Sequence, residues 1–283
     1  MENHSKIAVI GGDRRQAIVA SILADKGYEV SFFANSTKEI GDATRSVDLE
    51  GAVGGSSAVV LPLPCSADKA TIFTPLFDKN VYLSELVGFL DGQLIIGGMT
   101  KIVSDFYNGE VIDYFEDEEL QILNAIPTAE GAVAIAMDAL PITLHGSECL
   151  VVGFGRVSKA LAHTLAALGA CVTVMARKNC DFAYCELYGY KTAHISELEN
   201  GIHGYDVIFN SVPEKIFTER VLSKIDRSSF IIDLASRPGG VEFDAAKELG
   251  INVNWALSLP GKVAPVTAGK IIARSVLNTL RGR

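Results

Sequence analysis

The sequence predicts two α/β domains, each an open, doubly wound parallel sheet, with a cleft between them. Its 283 residues are enough for two domains of ordinary size, each with its own core. Short apolar runs alternate with helical patterns in two separate series, which is typical of parallel sheets. Each series opens with a strand, a glycine loop and a helix, at Gly11 in the first and at Gly153 in the second. A doubly wound fold follows from this repeated order.

The first series predicts a Rossmann-like N-terminal substrate domain at residues 1–126. It starts with a strand at 6–10, a helix at 16–26 and a second strand at 29–34. Further apolar runs predict strands at 58–61, 94–97 and 111–114. We expect the C-terminal helix, 264–283, to return and complete this domain.

The second series predicts a dinucleotide-binding Rossmann domain at residues 127–263. Its strands are expected at 149–152, 171–176, 207–210, 230–234 and 253–256, with a helix at 158–168 after the first of them. A linking helix at 128–144 is included in this domain, with Thr128 as its N-cap. The residues around Pro127 are predicted to be a hinge.

Composition and charge restrict the class of protein. The content of 48% hydrophobic and 21% charged residues is that of a compact enzyme. A formal net charge of −9 with dispersed basic residues disfavours a nucleic-acid surface. No apolar run is long enough for a membrane span, and the start of the sequence lacks a signal core. Five cysteines without a CxxC pair indicate reduced thiols and a cytoplasmic protein, with no metal site.

The most informative motif is the loop Gly153–Ser158, which directly follows an apolar strand and opens a helix. Gly153 permits a tight turn, and Gly155 lets the backbone approach a pyrophosphate. The amides of the helix N-terminus can then donate to its oxygens. Ser158 takes the place of the third glycine and is small enough for close packing. The predicted contacts with the dinucleotide in this loop are made by Gly153, Phe154, Gly155, Arg156 and Val157.

The end of the next strand indicates which dinucleotide is bound. Ala176, Arg177 and Lys178 stand where NAD enzymes usually carry an acidic residue for the ribose 2′-hydroxyl. An acid there would repel a 2′-phosphate, whereas Arg177 would bind it by a charge-assisted contact. The sequence therefore favours NADP(H) over NAD(H), the alternative being that Arg177 is a solvated loop cation.

Two later loops also leave the carboxyl ends of strands, where open α/β sheets bind ligands. The first contributes Asn210, Ser211, Val212 and Pro213, which we expect to line the nicotinamide. The second, 234–240, carries the candidate catalytic residues Ser236 and Arg237. A guanidinium beside a hydride-transfer site can bind a substrate carboxylate in a bidentate manner. A structural arginine that bonds loop carbonyls is the alternative for Arg237.

The glycine loop of the first domain predicts a different ligand. Asp13 and Gln16 occupy the second and third glycine positions of the motif, and their side chains would intrude on a pyrophosphate. We expect a small-anion site here, formed by helix N-terminal amides and by Arg14 or Arg15. The candidate substrate-binding residues of this domain are Gly12, Arg14, Arg15, Gln16 and Thr100.

Four segments together resemble the dipicolinate synthase A subunits of spore-forming bacteria. They are Gly12–Gln16, Pro127–Gly131, Asp233–Gly240 and Leu259–Pro265. The resemblance covers nearly the whole chain, and it implies an NADP-linked oxidation of a dihydrodipicolinate-type precursor to dipicolinate during sporulation. It also implies a partner, the flavoprotein-like B subunit of dipicolinate synthase, together with a location in the mother-cell cytoplasm. A homo-oligomer is expected as well.

Two other functions stay open at this stage. The architecture also resembles the D-2-hydroxyacid dehydrogenases, in which a loop arginine holds the substrate carboxylate, but no histidine partner stands between Leu259 and Thr267. The chain could instead be a nucleotide-binding scaffold whose partner carries the chemistry, because no proton-transfer residue stands out. For a dicarboxylate substrate, Arg14 or Arg15 and Arg237 would supply two separated cations.

Overall fold

The computed structural model describes residues 5–282, which divide into two compact units. Unit 1 contains the chain up to Asn124 together with the segment from Ala264 onward, and unit 2 is Ala125–Val263. Each unit contains a six-stranded sheet in which every strand pair is parallel. The predicted α/β class with two doubly wound sheets is confirmed.

The sheet of unit 1 has the strand order β3-β2-β1-β4-β5-β6. The chain reverses direction across the sheet between β1 and β4, so the carboxyl ends of these two strands mark its topological switch point. The strands are β1 (Lys6–Ile10), β2 (Glu29–Phe33), β3 (Thr44–Arg45), β4 (Ala58–Val60), β5 (Leu94–Gly97) and β6 (Val111–Asp113). β1, β4 and β5 are almost entirely buried, as expected for strands covered on both faces.

Helices cover both faces of this sheet. Those of unit 1 are α1 (Arg14–Asp25), α2 (Leu49–Val53), α3 (Leu83–Gly88), α4 (Lys101–Ser104) and α11 (Pro265–Arg281). α11 packs along α1, and its residues Ile272, Val276 and Leu280 belong to the same core as Val19 and Leu23. The C-terminal helix thus adds apolar surface to the core of unit 1 although the whole of unit 2 precedes it in the chain.

At Gly269, α11 lies close to the backbone of α1. A Cβ atom at Gly269 would lie 2.7 Å from the Cβ of Ile18 and 2.9 Å from the backbone oxygen of Arg15. We expect Gly269→Ala to destabilise unit 1 by about 1–2 kcal/mol, because overpacking outweighs the better helix propensity of alanine. Thermal unfolding measures this difference. Gly88→Ala is the matched control, since a Cβ at Gly88 meets nothing within 4 Å, and an equal loss in both variants would contradict the packing argument.

The linking helix differs from its prediction. α5 runs from Glu118 to Ala139, begins ten residues earlier than expected and continues through Pro127. The N-cap role predicted for Thr128 is therefore wrong, because this residue lies inside the helix. The hinge predicted around Pro127 stays a prediction, and the boundary between the two units falls inside α5, between Asn124 and Ala125. Pro127 removes one helix hydrogen bond, but Ala129, Ala132 and Ala136 bury one face of α5 in the core of unit 2, and this packing stabilises the helix.

α5 is also the one described helix whose length and composition would suit a membrane span. Core helices of globular domains share these two properties, and α5 has alanine and valine side chains in the core of unit 2. Two glutamates in its first turn, Glu118 and Glu119, complement the positive end of its dipole.

The sheet of unit 2 repeats the topology of the first, with the order β12-β11-β10-β7-β8-β9. Its strands are β7 (Glu148–Val152), β8 (Cys171–Ala176), β9 (Lys191–His194), β10 (Val207–Asn210), β11 (Phe230–Asp233) and β12 (Asn252–Trp255). Its helices, besides α5, are α6 (Arg156–Ala167), α7 (Asn179–Tyr188), α8 (Glu219–Leu222), α9 (Phe243–Leu249) and α10 (Leu259–Val263). The switch point of this sheet lies between β7 and β10, where a ligand is expected.

Two strands, β3 and β9, lie at sheet edges and were not predicted. β3 has two residues, both exposed, and three of the four residues of β9 are exposed. Edge strands of this kind lack the buried apolar run on which strand prediction depends.

Candidate functional site

The glycine loop of unit 2 connects β7 to α6 at the switch point of the sheet. Gly153 has a φ of +93°, which favours glycine, and its N–H donates to the backbone oxygen of Met175 at 2.8 Å. A Cβ at Gly153 would lie 2.7 Å from the Oγ of Ser211. This glycine is therefore required by backbone conformation and by the close approach of the β10 loop.

Gly155 is glycine for a different reason. It is the N-cap of α6 with an extended backbone (φ −79°, ψ −169°), and because glycine has no side chain, α6 lacks a side-chain capping hydrogen bond. A Cβ built here meets nothing within 4 Å, and Gly155 lines a cavity. The fold itself would therefore accept a side chain at this position. Because Gly155 is the N-cap, the open space beside it lies at the N-terminus of α6, where the helix dipole is positive.

Ser158, at the third position of the motif, connects two loops. Its side chain is fully buried, and its Oγ hydrogen-bonds the Oγ of Ser211 at 2.6 Å. The Ser211 hydroxyl also donates to the backbone oxygen of Val152 at 3.2 Å. Ser158 is therefore more than the small residue that the motif tolerates, because its hydroxyl fixes the first turn of α6 to the loop after β10.

A cavity of about 810 Å³ lies against this loop, within the range of small-molecule and cofactor sites. Nine of the twelve predicted cofactor residues line it: Gly153, Phe154, Gly155, Ala176, Arg177, Lys178, Ser211, Val212 and Pro213. The other three, Arg156, Val157 and Asn210, are not among its lining residues. The cavity wall also includes two segments that were not predicted, around Ser196 after β9 and around Lys215 after the β10 loop. Neither segment carries a motif that would have revealed it.

Charges on the cavity wall are not uniformly distributed. Arg177 and Lys178 follow β8 with exposed side chains, and among residues 5–282 no carboxylate forms a salt bridge with either one. Glu199, also on the wall, is paired with Arg220 at 3.2 Å. The end of β8 therefore offers two cations to an anion in the cavity.

Asn210 does not line the cavity, and its side chain is part of a buried hydrogen-bond network with Asp233, the last residue of β11. The Asn210 Nδ2 donates to an Asp233 carboxylate oxygen at 2.8 Å, and the Asn210 Oδ1 accepts from the Val212 N–H at 3.1 Å. Asp233 also accepts from the backbone N–H groups of Ala235 (3.1 Å) and Gly240 (2.8 Å). Both side chains are completely buried. This network fixes both ends of the loop that carries Ser236 and Arg237.

Ser236 and Arg237 are exposed and do not line the cavity. The guanidinium carbon of Arg237 lies 5.9 Å from the ring centroid of Trp255, at the end of β12. In the described part of the chain no carboxylate is paired with Arg237. Its charge is thus available to a ligand at the carboxyl ends of the strands.

In the glycine loop of unit 1, the backbone N–H groups of both glycines already have hydrogen-bond partners within the protein. The N–H of Gly11 donates to Phe33 O at 2.9 Å and that of Gly12 to Phe73 O at 2.7 Å, while the buried Asn35 amide donates to the oxygen of Gly12 at 2.8 Å. A Cβ at Gly12 would also lie 2.6 Å from the Cβ of Gln16. The loop is therefore closed by the protein itself, and these two amides are already paired.

Three of the five residues predicted to bind substrate have buried roles in unit 1. Arg15 pairs with Asp13 at 2.9 Å and donates to Leu63 O at 2.7 Å. The Gln16 side chain donates to Val60 O at 3.0 Å, and the N–H of the buried Thr100 donates to an Asp113 carboxylate oxygen at 2.8 Å.

Arg14, in contrast, is exposed on the surface of unit 1. Its guanidinium makes a 3.4 Å contact with the exposed Glu39. An exposed ion pair of this kind contributes little to stability and can exchange partners. Of the two arginines in the loop, Arg14 has the more available charge.

Buried thiols offer no alternative nucleophile at either sheet. Burial raises the pKa of Cys65, Cys149 and Cys185 to about 11. A thiol with this pKa is almost fully protonated at neutral pH and is a poor nucleophile. The chemistry of this chain is therefore not that of a thiolate enzyme using one of these three residues.

The doubly wound sheets and the dinucleotide-type loop define a protein with a Rossmann-type NAD(P)-binding domain. A family model described as putative NAD(P)-binding matches residues 140–243, and the model of the N-terminal domain of the dipicolinate synthase A subunit matches residues 6–115. The dipicolinate synthase A subunit of Bacillus subtilis (strain 168) is 33% identical in an alignment that covers 97% of this chain and 95% of the relative. The chain belongs to the family of dipicolinate synthase A subunits, which confirms the resemblance seen in its motifs.

Solved structures agree with this assignment. The dipicolinate synthase A subunit from Bacillus halodurans superimposes with a TM-score of 0.89 at 29% identity, covering 98% of this chain and 97% of that one. The transhydrogenase from Sinorhizobium meliloti superimposes with a TM-score of 0.74 at 14% identity, covering 98% of this chain and 93% of that one. At that identity the likeness to the transhydrogenase concerns the fold alone.

Proposed function

We propose that the chain is an NADP-dependent oxidoreductase that converts a dihydrodipicolinate-type precursor to dipicolinate. The observation that carries the proposal is the cavity at Gly153 and Gly155, in a chain of the dipicolinate synthase family. Removal of one hydride and one proton from a dihydropyridine dicarboxylate gives the aromatic pyridine, so aromatisation favours completion. Oxidised NADP, when bound, supplies the acceptor for the hydride.

The residues of the cavity fit this cofactor. The N-terminus of α6 at Gly155 would hold the pyrophosphate, because an open space lies in front of it. Arg177 and Lys178 would bind the 2′-phosphate through their two positive charges. Ser211, Val212 and Pro213, on the loop after β10, would line the nicotinamide end.

Arg237 is proposed to bind one carboxylate of the substrate in a bidentate manner, with the hydroxyl of the neighbouring Ser236 as a further donor. The exposure of Arg237 and the absence of a paired carboxylate within residues 5–282 support this role. Arg14 is the candidate anion-binding residue within unit 1, since its charge is more available than that of Arg15.

The biological setting is part of the same proposal. Membership among the A subunits implies a second kind of subunit, and for that partner we propose the flavoprotein-like B subunit of dipicolinate synthase. We further propose that the chain forms a homo-oligomer and acts in the mother-cell cytoplasm of a sporulating bacterium. Sedimentation of the purified chain with and without the B subunit tests both assembly statements.

Arg177→Ala tests the cofactor preference. Loss of a charge-assisted contact to the 2′-phosphate should raise the Kd of NADP⁺ by about 10- to 100-fold and leave the Kd of NAD⁺ nearly unchanged. Isothermal titration with both nucleotides measures the two constants. Lys215→Ala is the matched control, because it removes a cation from another part of the same wall. If Arg177→Ala raised the Kd of NADP⁺ and of NAD⁺ by the same factor, a specific contact of Arg177 with the 2′-phosphate would be excluded.

A second candidate is a nucleotide-binding scaffold whose partner subunit carries the chemistry. It is favoured by one observation: the lining residues of the cavity include no histidine within the described chain. Absorbance at the NADPH and pyridine bands separates the two functions when NADP⁺ and freshly made precursor are added with and without the B subunit. Product formed by the chain alone supports the enzyme; nucleotide binding with product only after addition of the B subunit supports the scaffold.

A further inference from the structure

Trp255 lies at the end of β12 and contacts the loop that carries Arg237 in two ways. Its Nε1–H donates to the backbone oxygen of Ala235 at 3.0 Å, and its ring lies under the Arg237 guanidinium, 5.9 Å from the guanidinium carbon to the ring centroid. A guanidinium at this distance is attracted by the negative face of an indole ring. One side chain thus holds both the backbone and the charged group of the loop.

The ring of Trp255 is itself fixed in place. It stacks on Phe243 of α9, with ring centroids 4.8 Å apart and an angle of 28° between the planes. Trp255 is also the β12 partner of Asp233 in the parallel register, and Asp233 binds the backbone N–H groups of Ala235 and Gly240. The loop 234–240 is therefore held at both ends by Asp233 and from one side by Trp255.

We infer that Trp255 is a positioning residue that presents the Arg237 guanidinium to a carboxylate. An exposed arginine with several rotatable bonds loses side-chain entropy when a ligand fixes it. A cation–π contact with a rigid indole restricts part of that freedom beforehand while leaving the N–H edge of the guanidinium open to a bidentate carboxylate. The inference rests on the proposed role of Arg237, and it adds a residue that sequence motifs did not single out.

The ring and the N–H of Trp255 can be separated by substitution. Trp255→Leu removes both the aromatic face and the hydrogen bond to Ala235, whereas Trp255→Phe keeps an aromatic face and removes the hydrogen bond. Titration calorimetry with pyridine-2,6-dicarboxylate measures the affinity of each variant in the presence of saturating NADP⁺. We expect Trp255→Leu to raise the Kd of the dicarboxylate about 5- to 10-fold and Trp255→Phe about twofold, with the Kd of NADP⁺ unchanged in both.

The native chain supplies a second readout, because Trp255 is its only tryptophan. Selective excitation of Trp255 therefore reports on the guanidinium that lies over its ring. We expect the dicarboxylate to change this emission in the wild type and to leave it unchanged in Arg237→Ala. A tryptophan with a purely structural role would give the same emission with and without the dicarboxylate, which would contradict the inference even if Trp255→Leu failed to fold.

The variants also distinguish failure of this inference from failure of the proposed function. If Arg237→Ala weakens dicarboxylate binding and Trp255→Leu does not, Arg237 binds substrate without help from Trp255 and the inference is wrong. If Arg237→Ala binds the dicarboxylate as tightly as the wild type, the proposed substrate role of Arg237 fails, and the inference fails with it. Equal loss of NADP⁺ and dicarboxylate affinity in Trp255→Leu would indicate general damage to unit 2 and would overturn the positioning role.

Discussion

Replacing Gly155 with aspartate is expected to abolish dinucleotide binding without destabilising the protein. Gly155 is the N-cap of α6, its backbone is extended, and a Cβ there meets nothing within 4 Å. Aspartate is among the best N-cap residues, and α6 now lacks a side-chain cap, so the free energy of unfolding should stay equal or rise by up to about 1 kcal/mol. The same carboxylate would stand where we place the pyrophosphate.

The effect on binding should be large. Two like charges about 4 Å apart near a protein surface repel by about 4 kcal/mol, and even part of this energy raises Kd by a factor of about 100 or more. Isothermal titration with NADP⁺ measures the loss, and thermal unfolding of the free protein measures stability. The combination of lost binding with unchanged or increased stability is expected only if the nucleotide occupies the open space at this helix end.

Gly155→Asn is the matched control, since asparagine has the shape of aspartate, is also a good N-cap and carries no charge. We expect it to weaken NADP⁺ binding less than Gly155→Asp does. If the aspartate variant binds NADP⁺ like the wild type, the pyrophosphate does not lie at the N-terminus of α6. A large loss of stability in both variants would show that the space in front of Gly155 is not open.

Replacing Gly240 with alanine is expected to cause a large loss of stability, in contrast to the replacement of Gly155 with aspartate. A Cβ at Gly240 would lie 2.0 Å from the Asn210 Nδ2 and 2.7 Å from Val212 O. The Asn210 side chain cannot move aside without losing its hydrogen bond to the buried Asp233. Overpacking combined with an unpaired buried polar group should cost about 3 kcal/mol and lower the unfolding temperature of unit 2 by roughly 10 °C.

Gly155→Ala is the control for this second prediction, because it adds the same methyl group in the same unit where the space is open. Its unfolding temperature should fall by far less than that of Gly240→Ala. Equal unfolding temperatures in the two variants would mean that the loop after β11 rearranges freely, and Asn210 and Asp233 would then not be the support that fixes the Arg237 loop.

Much of the fold was predictable because parallel sheets buried on both faces require continuous apolar runs. β1, β5, β8 and β10 coincide with runs of this kind, and their bounds match the prediction. The extent of α5 was not predictable from local signals. Pro127 normally marks a helix boundary, and only the packing of the following alanines in unit 2 shows why the helix continues.

The candidate site was predictable to the extent that backbone conformation determines residue type. Gly153 needs a positive φ, and Gly155 borders open space, so the motif identified this part of the cavity. Side-chain pairing that depends on the folded loops could not be predicted. The hydroxyl contact of Ser158 with Ser211 and the hydrogen bond from the Arg15 guanidinium to the backbone oxygen of Leu63 follow from three-dimensional proximity, which no spacing in the sequence indicates.

We propose that the cavity of unit 2 binds NADP(H) in preference to NAD(H). The most direct test of this preference is isothermal titration of the wild-type chain with NADP⁺ and with NAD⁺ under the same conditions. We expect the Kd of NADP⁺ to be lower by about tenfold or more, because Arg177 and Lys178 line the cavity and no carboxylate within residues 5–282 forms a salt bridge with either one. Equal dissociation constants, or tighter binding of NAD⁺, would show that the cavity has no preference for NADP(H).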